Sequence, residues 1–324
     1  MKLLTVLSVV LLMSSVHAGA QDVRSEKKPA NSESSYRAIP KLKKEIKQWD
    51  AAVSAGIMAD NNISHLLTNS NTKSNAKIKD NAVNLGASLS YAPSYAEKAG
   101  LELGYEYDST DYHSHKTFSS HSHSLTADLS PKLSRHLGLA LSGDLGWVGD
   151  KKSVISKGQG AGAGLIWYGP SKLHLKGGYE YSHENVVINH AKDADSGAAY
   201  LSVNKRFYDK HLAFAIYRLQ THSAAGPNYS YQARSAGLGL VSRWTPYFKL
   251  SLAFFHREKA YSNVDTRFLK KREDRTDMLV LRPTFKVFGG LYAAGSLALS
   301  SNHSNVAIKS YSDRTYSVGL EGRF

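Results

Sequence analysis

Apolar and polar residues alternate one by one along most of the chain after Trp49. In segment 101–108, for example, Leu, Leu, Tyr and Tyr are separated by Glu, Gly, Glu and Asp. Segments 137–146, 248–254 and 279–287 repeat this pattern, and no helical periodicity of comparable length competes with it. Successive side chains of a β-strand point to opposite faces, so each segment predicts a strand with one apolar and one polar face.

The alternating segments predict about fourteen strands of roughly ten residues each. That is the length a tilted strand needs to cross a bilayer. The predicted spans are 48–59, 82–92, 99–109, 120–130, 137–148, 159–168, 172–183, 197–207, 211–221, 231–243, 247–258, 276–286, 290–300 and 314–324.

The connections between these strands alternate in length. Long polar segments such as 62–80, 183–196 and 258–275 take turns with short ones such as 169–172 and 288–290. Outer-membrane barrels have short periplasmic turns and long extracellular loops. We therefore predict an all-β fold, a closed antiparallel transmembrane β-barrel of about 14 strands, with both termini in the periplasm. The alternative is a secreted all-β protein with unusually regular strands.

The final segment, YSVGLEGRF, alternates to the last residue. In a closed barrel the last strand pairs with the first, which would hold this end in the sheet. The segment also resembles the assembly signal of bacterial outer-membrane proteins, which commonly end in an aromatic residue. This resemblance implies the barrel-assembly machinery as a partner, and the signal would consist of Tyr316, Val318, Leu320 and Phe324.

The N-terminal segment predicts export. Met1-Lys2 is followed by the apolar run LLTVLSVVLLM and by small residues up to Ala20, a pattern typical of a secretory signal peptide over 1–20. Segment 21–47 is polar and without periodicity, so we predict a mostly disordered periplasmic arm before a barrel over 48–324. The chain has no cysteine, which excludes disulfides and thiolate metal sites. The expected location is the outer membrane of a Gram-negative bacterium.

If the apolar faces meet lipid, the intervening polar residues face the lumen. The early strands contribute mostly acids and the later strands mostly bases, so the lumen would carry a transverse field that orients dipolar solutes. Alternatively, these charges neutralise each other and fill the lumen. The predicted lumen-lining charged residues are Asp50, Glu102, Glu106, Asp108, Asp128, Asp144, Lys176, Glu180, Arg206, Arg243, Lys249, Arg257, Arg282, Lys286, Glu321 and Arg323.

One predicted outward loop is flanked by two His-x-His pairs. The segment DYHSHKTFSSHSHS contains His113, His115, His121 and His123. Alternate residues of a hairpin share a face, so the four imidazoles would be able to converge on Zn, Cu or Ni. The alternatives are a solvated loop, a haem contact and a pH response.

The formal net charge of the chain is +14 and the sequence pI is about 9.6. Basic residues of the predicted outward loops, including Lys73, Lys77, Lys79, Lys259 and 270–272, would meet lipid and lipopolysaccharide phosphates. No nucleic-acid partner is predicted. No nucleophile–base pair, phosphate-binding glycine loop or paired carboxylate motif stands out, so we predict neither enzymatic activity nor a cofactor.

Two stretches resemble the surface lipoprotein assembly modifier family. Trp49 and the turn Asp60-Asn61-Asn62 match the opening and closing of that family's first barrel strand. The tail from 267 to 324 matches its C-terminal barrel block. The matching pieces are Arg272-Glu273-Asp274, Ser301-Asn302 or Ser304-Asn305, Tyr311-Ser312-Asp313-Arg314 and the closing Gly-Leu-x-x-x-Phe.

The resemblance implies a fourteen-stranded barrel that helps a client protein cross the outer membrane. Family members usually carry an N-terminal helical-repeat domain, and segment 21–47 contains no repeat of that length. The function predicted first is export or surface display of a partner protein, with a link to haem or metal uptake. The alternatives are a porin-like channel for small polar solutes and a surface protein that binds through its basic, His-rich loops.

Overall fold

The computed structural model describes residues 49–63, 78–93, 100–150, 153–208 and 210–324. These residues form fourteen β-strands, which confirms the predicted fold class and strand number. The strands are β1 (Trp49–Asp60), β2 (Asp80–Tyr91), β3 (Leu101–Tyr112), β4 (Ser120–Leu129), β5 (Leu137–Gly149), β6 (Val154–Tyr168), β7 (Leu173–Val186), β8 (Ala194–Phe207), β9 (His211–Ala224), β10 (Tyr231–Arg243), β11 (Phe248–Asp265), β12 (Lys270–Phe288), β13 (Leu291–Ser304) and β14 (Tyr311–Arg323).

The fourteen strands form one closed ring in which each strand pairs antiparallel with its neighbours in the chain. The ring closes between β1 and β14, where Ala55 lies opposite Leu320. The Phe324 amide donates a hydrogen bond of 2.9 Å to the Ala51 carbonyl oxygen, so pairing continues to the last residue. Closure leaves no free sheet edge, as a strand-built membrane span requires.

Exposure alternates along the strands as predicted. In β1, Ile57 is 68% exposed and the next residue, Met58, is 2% exposed. In β14, Tyr316, Val318 and Leu320 are exposed, whereas Ser317 and Gly319 between them are partly buried. The exposed apolar residues form the outer face of the ring, and the residues between them point inward.

We call the end of the barrel that holds Trp49 and Phe324 the near end, and the opposite end the far end. The near-end connections include 169–172 and 289–290, and the far-end connections include 61–79 and 305–310. Short 3-10 turns lie in several of them, for example Pro227–Tyr229 at the far end.

Strands extend into two segments that were predicted as long loops. The hairpin of β11 and β12 leaves only 266–269 as its connection, so most of 258–275 continues the sheet. Likewise, 183–186 belongs to β7 and 194–196 to β8. Backbone pairing continues beyond the apolar band, where both faces of a strand are polar and the alternation that marks strands disappears.

In the described part of the chain, no helix is both long and apolar enough to cross a membrane. The predicted signal peptide (1–20), the predicted arm (21–47) and the loop residues Lys73 and Lys77 lie outside the described residues. The first strand begins at Trp49, next to the predicted start of the barrel at residue 48.

Candidate functional site in the barrel lumen

The charged residues predicted to line the lumen all lie on the inward face of their strands. In β12, for example, Arg282 and Lys286 alternate with the outward Leu281 and Phe285, as register with β11 and β13 shows. In β3, Glu106 pairs with Ser88 of β2 on the inward face. The register thus places these residues on the face opposite the exposed apolar side chains.

The acidic and basic residues occupy opposite walls of the ring. In a ring of fourteen, a strand seven places away lies across the lumen, so β3 faces β10, β4 faces β11 and β5 faces β12. The first three strands form what we call the acidic wall and the second three the basic wall. The acidic wall carries Glu102, Glu106, Asp108, Asp128 and Asp144, and the basic wall carries Arg243, Lys249, Arg257, Arg282 and Lys286.

Between these walls, charges of both signs pair with each other. Arg218 of β9 donates a hydrogen bond of 2.7 Å to Glu180 of β7. Strand β8 lies between the two, so the side chains meet above the inner surface of the sheet. Lys176 lies close enough to Glu180 and Asp128 to interact with both electrostatically. Glu180 and Lys176 were predicted from the sequence as lumen-lining residues. Arg218 was not, although it also lies on the inward face of its strand, β9.

A second ionic network lies at the near end. Glu321 of β14 accepts a hydrogen bond of 3.1 Å from Arg282 and one of 2.6 Å from Arg323. The Arg323 guanidinium also lies 4.8 Å from the centre of the Tyr292 ring. Glu321, Arg282 and Arg323, each predicted only to line the lumen, thus form one hydrogen-bonded group.

An apolar patch interrupts the basic wall at mid-height. Phe214, Phe255, Met278 and Val280 all point inward and are buried. The Phe214 ring lies over Gly239 of β10, where any Cβ would overlap it. The patch separates the basic residues near the termini, such as Lys286, from those towards the far end. The sequence did not predict it, because inward apolar residues look like ordinary strand residues until their neighbours are known.

The far end of the basic wall carries a cluster of cations and aromatic rings. It consists of Arg257, Lys259, Arg272, Tyr231 and Tyr261, and we call it the far cationic cluster. The sequence placed Lys259 and Arg272 in an outward loop facing lipopolysaccharide. That placement was wrong: both residues belong to strands, and both lie on the inward face.

No model of a protein family matches the sequence, and no curated protein matches it either. Among solved structures, the outer membrane channel DcaP of Acinetobacter baumannii superposes with a TM-score of 0.51 at 9% sequence identity, over 85% of this chain and 97% of that one. An outer membrane channel from Pseudomonas putida F1 gives a TM-score of 0.45 at 10% identity, over 92% of this chain and all of that one (100%). The chain has the fold of an outer-membrane β-barrel.

With this fold, the outer face of the barrel is the lipid-facing surface, and aromatic residues lie near both of its boundaries. Trp49 packs against Tyr91 at the near end, with ring centres 4.3 Å apart. Towards the far end, Trp147 stacks on His123 at 4.8 Å. Aromatic girdles of this kind mark the two interfaces of outer-membrane barrels.

Two of the four candidate metal-binding histidines belong to this outer face. His123 lies between Trp147 and Tyr107, and its Nδ1 is 2.9 Å from the Tyr105 hydroxyl. The His121 ring lies 5.7 Å from the His123 ring on the same face. Their surroundings are those of an aromatic girdle.

The other two histidines lie in the connection between β3 and β4. His115 Nδ1 is 3.0 Å from the Asp80 carboxylate, which also accepts hydrogen bonds from the backbone amides of Ser114 and His115. His113 is exposed. The four imidazoles therefore do not meet at one point. Among the residues that the structure describes, no group of three or more His, Cys, Asp or Glu side chains is placed to hold a metal ion.

The predicted assembly signal lies on the closing strand. Tyr316, Val318 and Leu320 point to the lipid-facing side of β14, and Phe324 lies just beyond the strand at the near end, 69% exposed. Recognition of these residues by an assembly machinery stays a prediction.

Proposed function

We propose that this barrel is a channel that lets small polar solutes cross the outer membrane of a Gram-negative bacterium. The observation that carries the proposal is the position of β3–β5, with their acids, across the ring from β10–β12, with their bases. The fold shared with the DcaP channel is consistent with it, although that similarity concerns the fold alone.

The two walls would act on solutes through their field. Charges of one sign along a cleft with low-dielectric walls create potentials of several kT, and opposed walls give a field across the lumen. A dipolar solute would turn its negative end towards the basic wall as it passes. The apolar patch around Phe255 and Met278 would contact the uncharged part of such a solute.

Conductance in planar lipid bilayers tests the proposal. We expect steady channel openings from the purified barrel. We also expect a reversal potential that depends on the charges of the acidic wall and the basic wall. A variant with Glu106→Gln, Asp108→Asn and Asp144→Asn should shift selectivity several-fold towards anions, because only the acidic wall loses charge.

A control variant removes two acidic charges from the outer face instead. Glu258 and Asp277 lie on the lipid side of β11 and β12, so Glu258→Gln with Asp277→Asn should leave selectivity unchanged. A folded barrel that shows no openings above the lipid background would refute the channel proposal.

For orientation, we propose that the near end faces the periplasm and the far end the cell exterior, in contact with lipopolysaccharide. Bacterial barrels have their short turns on the periplasmic side and their long loops outside. The shortest connection between strands, 289–290, is at the near end, and the longest, 61–79, is at the far end. An epitope inserted in 305–310 should be stained on intact cells, while one inserted in 169–172 should require permeabilised cells. The reverse staining would contradict this orientation.

Export of a client protein is the second candidate function. One observation favours it: Trp49 and Asp60, which carry the resemblance to surface lipoprotein assembly modifiers, are the first and last residues of β1. Deletion of the gene should then remove one partner protein from the cell surface, as measured by surface proteomics. An unchanged surface proteome would exclude this role, and with it the proposed link to haem or metal uptake.

A further inference from the structure

The two strands that close the barrel are joined at the far end by two buried carboxyl groups. Asp60 is the last residue of β1, and Asp313 lies on the inward face of β14, two residues before Thr315, the register partner of Asp60. The side chains of Asp60 and Asp313 are hydrogen-bonded to each other, and the residues are 2% and 4% exposed. We call them the seam carboxyl pair. Two carboxyl groups in contact away from water cannot both be ionised, so the pair holds one proton.

The hydrogen bonds of the individual oxygen atoms agree with a shared proton. Asp60 Oδ1 accepts a bond of 2.8 Å from the Asn62 amide, and Asp60 Oδ2 accepts one of 3.3 Å from the Tyr112 hydroxyl. Asp313 Oδ2 accepts one of 3.3 Å from the Thr315 hydroxyl. Asp313 Oδ1 is buried, and no N–H or O–H group of the described residues donates to it. A proton on Asp60 supplies the donor that this buried oxygen requires.

The groups that face the pair from β2 and β3 favour retention of this proton. Asp80 of β2 is the register partner of Asp60, and Tyr112 of β3 interacts electrostatically with Asp60, Asp313 and Asp80. The basic side chain at this level, His115, lies 3.0 Å from Asp80. The pair is therefore surrounded by acidic groups, and the nearby base is bonded to a different carboxylate.

This end of the closing strand pair lies beyond the apolar band of the outer face. Ser312 and Arg314, which flank Asp313 on the outward face, are exposed and polar, and so is Asn81 of β2. Burial, together with the charge of Asp313, raises the pKa of Asp60 to about 8. The proton is thus held far above the pH at which an ordinary aspartate loses it.

The pair lies next to the hydrogen bonds that continue the closure past the end of β1. The Asn61 amide donates a bond of 3.2 Å to the Arg314 carbonyl oxygen, and the Arg314 amide donates one of 2.9 Å to the Asn61 side-chain oxygen. The Asn62 side-chain amide donates one of 2.8 Å to the Ser312 carbonyl oxygen. Repulsion between two ionised carboxylates would act on the same two chain segments that these bonds join.

We propose that the seam carboxyl pair is a pH-sensitive switch that holds the far ends of β1 and β14 together only while it carries its proton. In alkaline medium the proton passes to the solvent, and the two carboxylates left behind repel each other and loosen this end of the closure. A proton needs no cavity to reach the pair. The switch goes beyond the proposed channel function and does not depend on it.

Urea unfolding of the purified full-length barrel between about pH 5 and about pH 9 tests the switch. The folded protein binds the Asp60 proton more tightly than the unfolded chain does, so folding takes up a proton between the two pKa values. The stabilisation is complete in acid and is lost as the pH rises through the folded pKa. The contribution of the pair to the unfolding equilibrium constant should therefore increase up to tenfold per pH unit and level off above about pH 8.

Asp60→Asn isolates this contribution from that of other titrating groups. The amide still donates a hydrogen bond to Asp313, but it has no proton to lose, so the increase in the unfolding constant should disappear. Asp313→Asn should reduce the increase and serves as a second variant if the first fails to fold. Asp111→Asn is the control, because Asp111 is an outward carboxylate of β3 at the same end, and it should keep the full increase. An equal increase in folded Asp60→Asn overturns the switch.

Hydrogen exchange measured by mass spectrometry locates the change. At about pH 9, segments 59–62 and 312–315 should exchange at least tenfold faster in the unchanged protein than in Asp60→Asn at the same pH. The near end of the closure, around Ala51 and Phe324, should exchange alike in both. Equal exchange of the two far-end segments contradicts the switch, even where overall stability depends on pH. Neither measurement involves conductance, so failure of the switch and failure of the channel proposal are distinguishable.

Discussion

Gly56 of β1 lies directly opposite Gly319 of β14, on the inward face where the ring closes. The two backbones approach so closely that a Cβ on Gly319 would lie 2.6 Å from the Ala55 carbonyl oxygen and 2.9 Å from the Gly56 Cα. Because these neighbours are backbone atoms, they cannot rotate away as a side chain would. The closing pair therefore tolerates only glycine at this point.

Gly319→Val should consequently impair closure of the barrel. Overpacking of this kind typically costs about 1–3 kcal/mol, and here it acts on the strand pair that closes the ring. The measurement is gel mobility before and after boiling, since a closed barrel migrates differently from the unfolded chain.

Gly295→Val provides the control for that substitution. Gly295 lies on neighbouring β13, where a Cβ would meet nothing closer than 3.6 Å. This variant should fold like the unchanged protein. Equal loss of the folded band in both variants would show that the close contact at Gly319 is not the cause.

Phe324→Ala should reduce the amount of assembled barrel several-fold. The residue is on the lipid-facing side at the near end, and its backbone amide already pairs with Ala51, so the substitution removes only the aromatic group. Phe288→Ala is the matched control, because Phe288 is also 69% exposed at the near end but lies in β12. Outer-membrane fractions give the assembled amounts. Similar losses in both variants would deny the terminal residue a special role.

The selectivity of the lumen should weaken as salt concentration rises. The Debye length falls from about 10 Å at 0.1 M to about 3 Å at 1 M, so mobile ions in a wet lumen screen Glu106 and Arg282 from a passing solute. Reversal potentials under fixed salt gradients at low and high mean concentration measure this effect. Selectivity that stays constant across this range would mean that the opposed walls do not set it.

The alternation of residues was sufficient to predict the strands and their inward faces. Because side chains on a strand repeat every two residues, Leu279 and Leu281 on one face placed Arg282 on the other. The ends of the strands were less predictable. In 258–265 apolar and polar residues no longer alternate regularly, so nothing in the sequence distinguishes a strand that extends beyond the lipid from a loop.

Contacts between side chains of different strands could not be predicted, because they depend on the register of the strand pairs, which the sequence does not reveal. Phe214 and Phe255 point inward, on the face that was expected to be polar, because the glycines of β10 leave space for their rings. The far cationic cluster likewise brings together residues of β10, β11 and β12. The contact of Glu180 with Arg218 depends on the register of two successive strand pairs.

Glu180→Gln should both destabilise the barrel and make the lumen more positive. Each side chain of the Glu180–Arg218 pair is only 13% exposed, so the substitution leaves the Arg218 charge poorly compensated. We expect a loss of about 1–3 kcal/mol in the free energy of unfolding, measured by urea titration, and a shift of the reversal potential towards anions. The second substitution Arg218→Met should recover part of the stability, because it removes the charge left without its partner.

An ion pair on the outer surface provides the comparison for the Glu180–Arg218 pair. Arg275 Nη2 lies 3.3 Å from the Glu258 carboxylate, but these side chains are 60% and 50% exposed. Glu258→Gln should therefore change the free energy of unfolding by no more than about 0.5 kcal/mol and leave selectivity unaltered. If Glu180→Gln proved equally neutral, water in the lumen would screen the inner pair as fully as the outer one, and the field between the walls would be too weak to orient solutes.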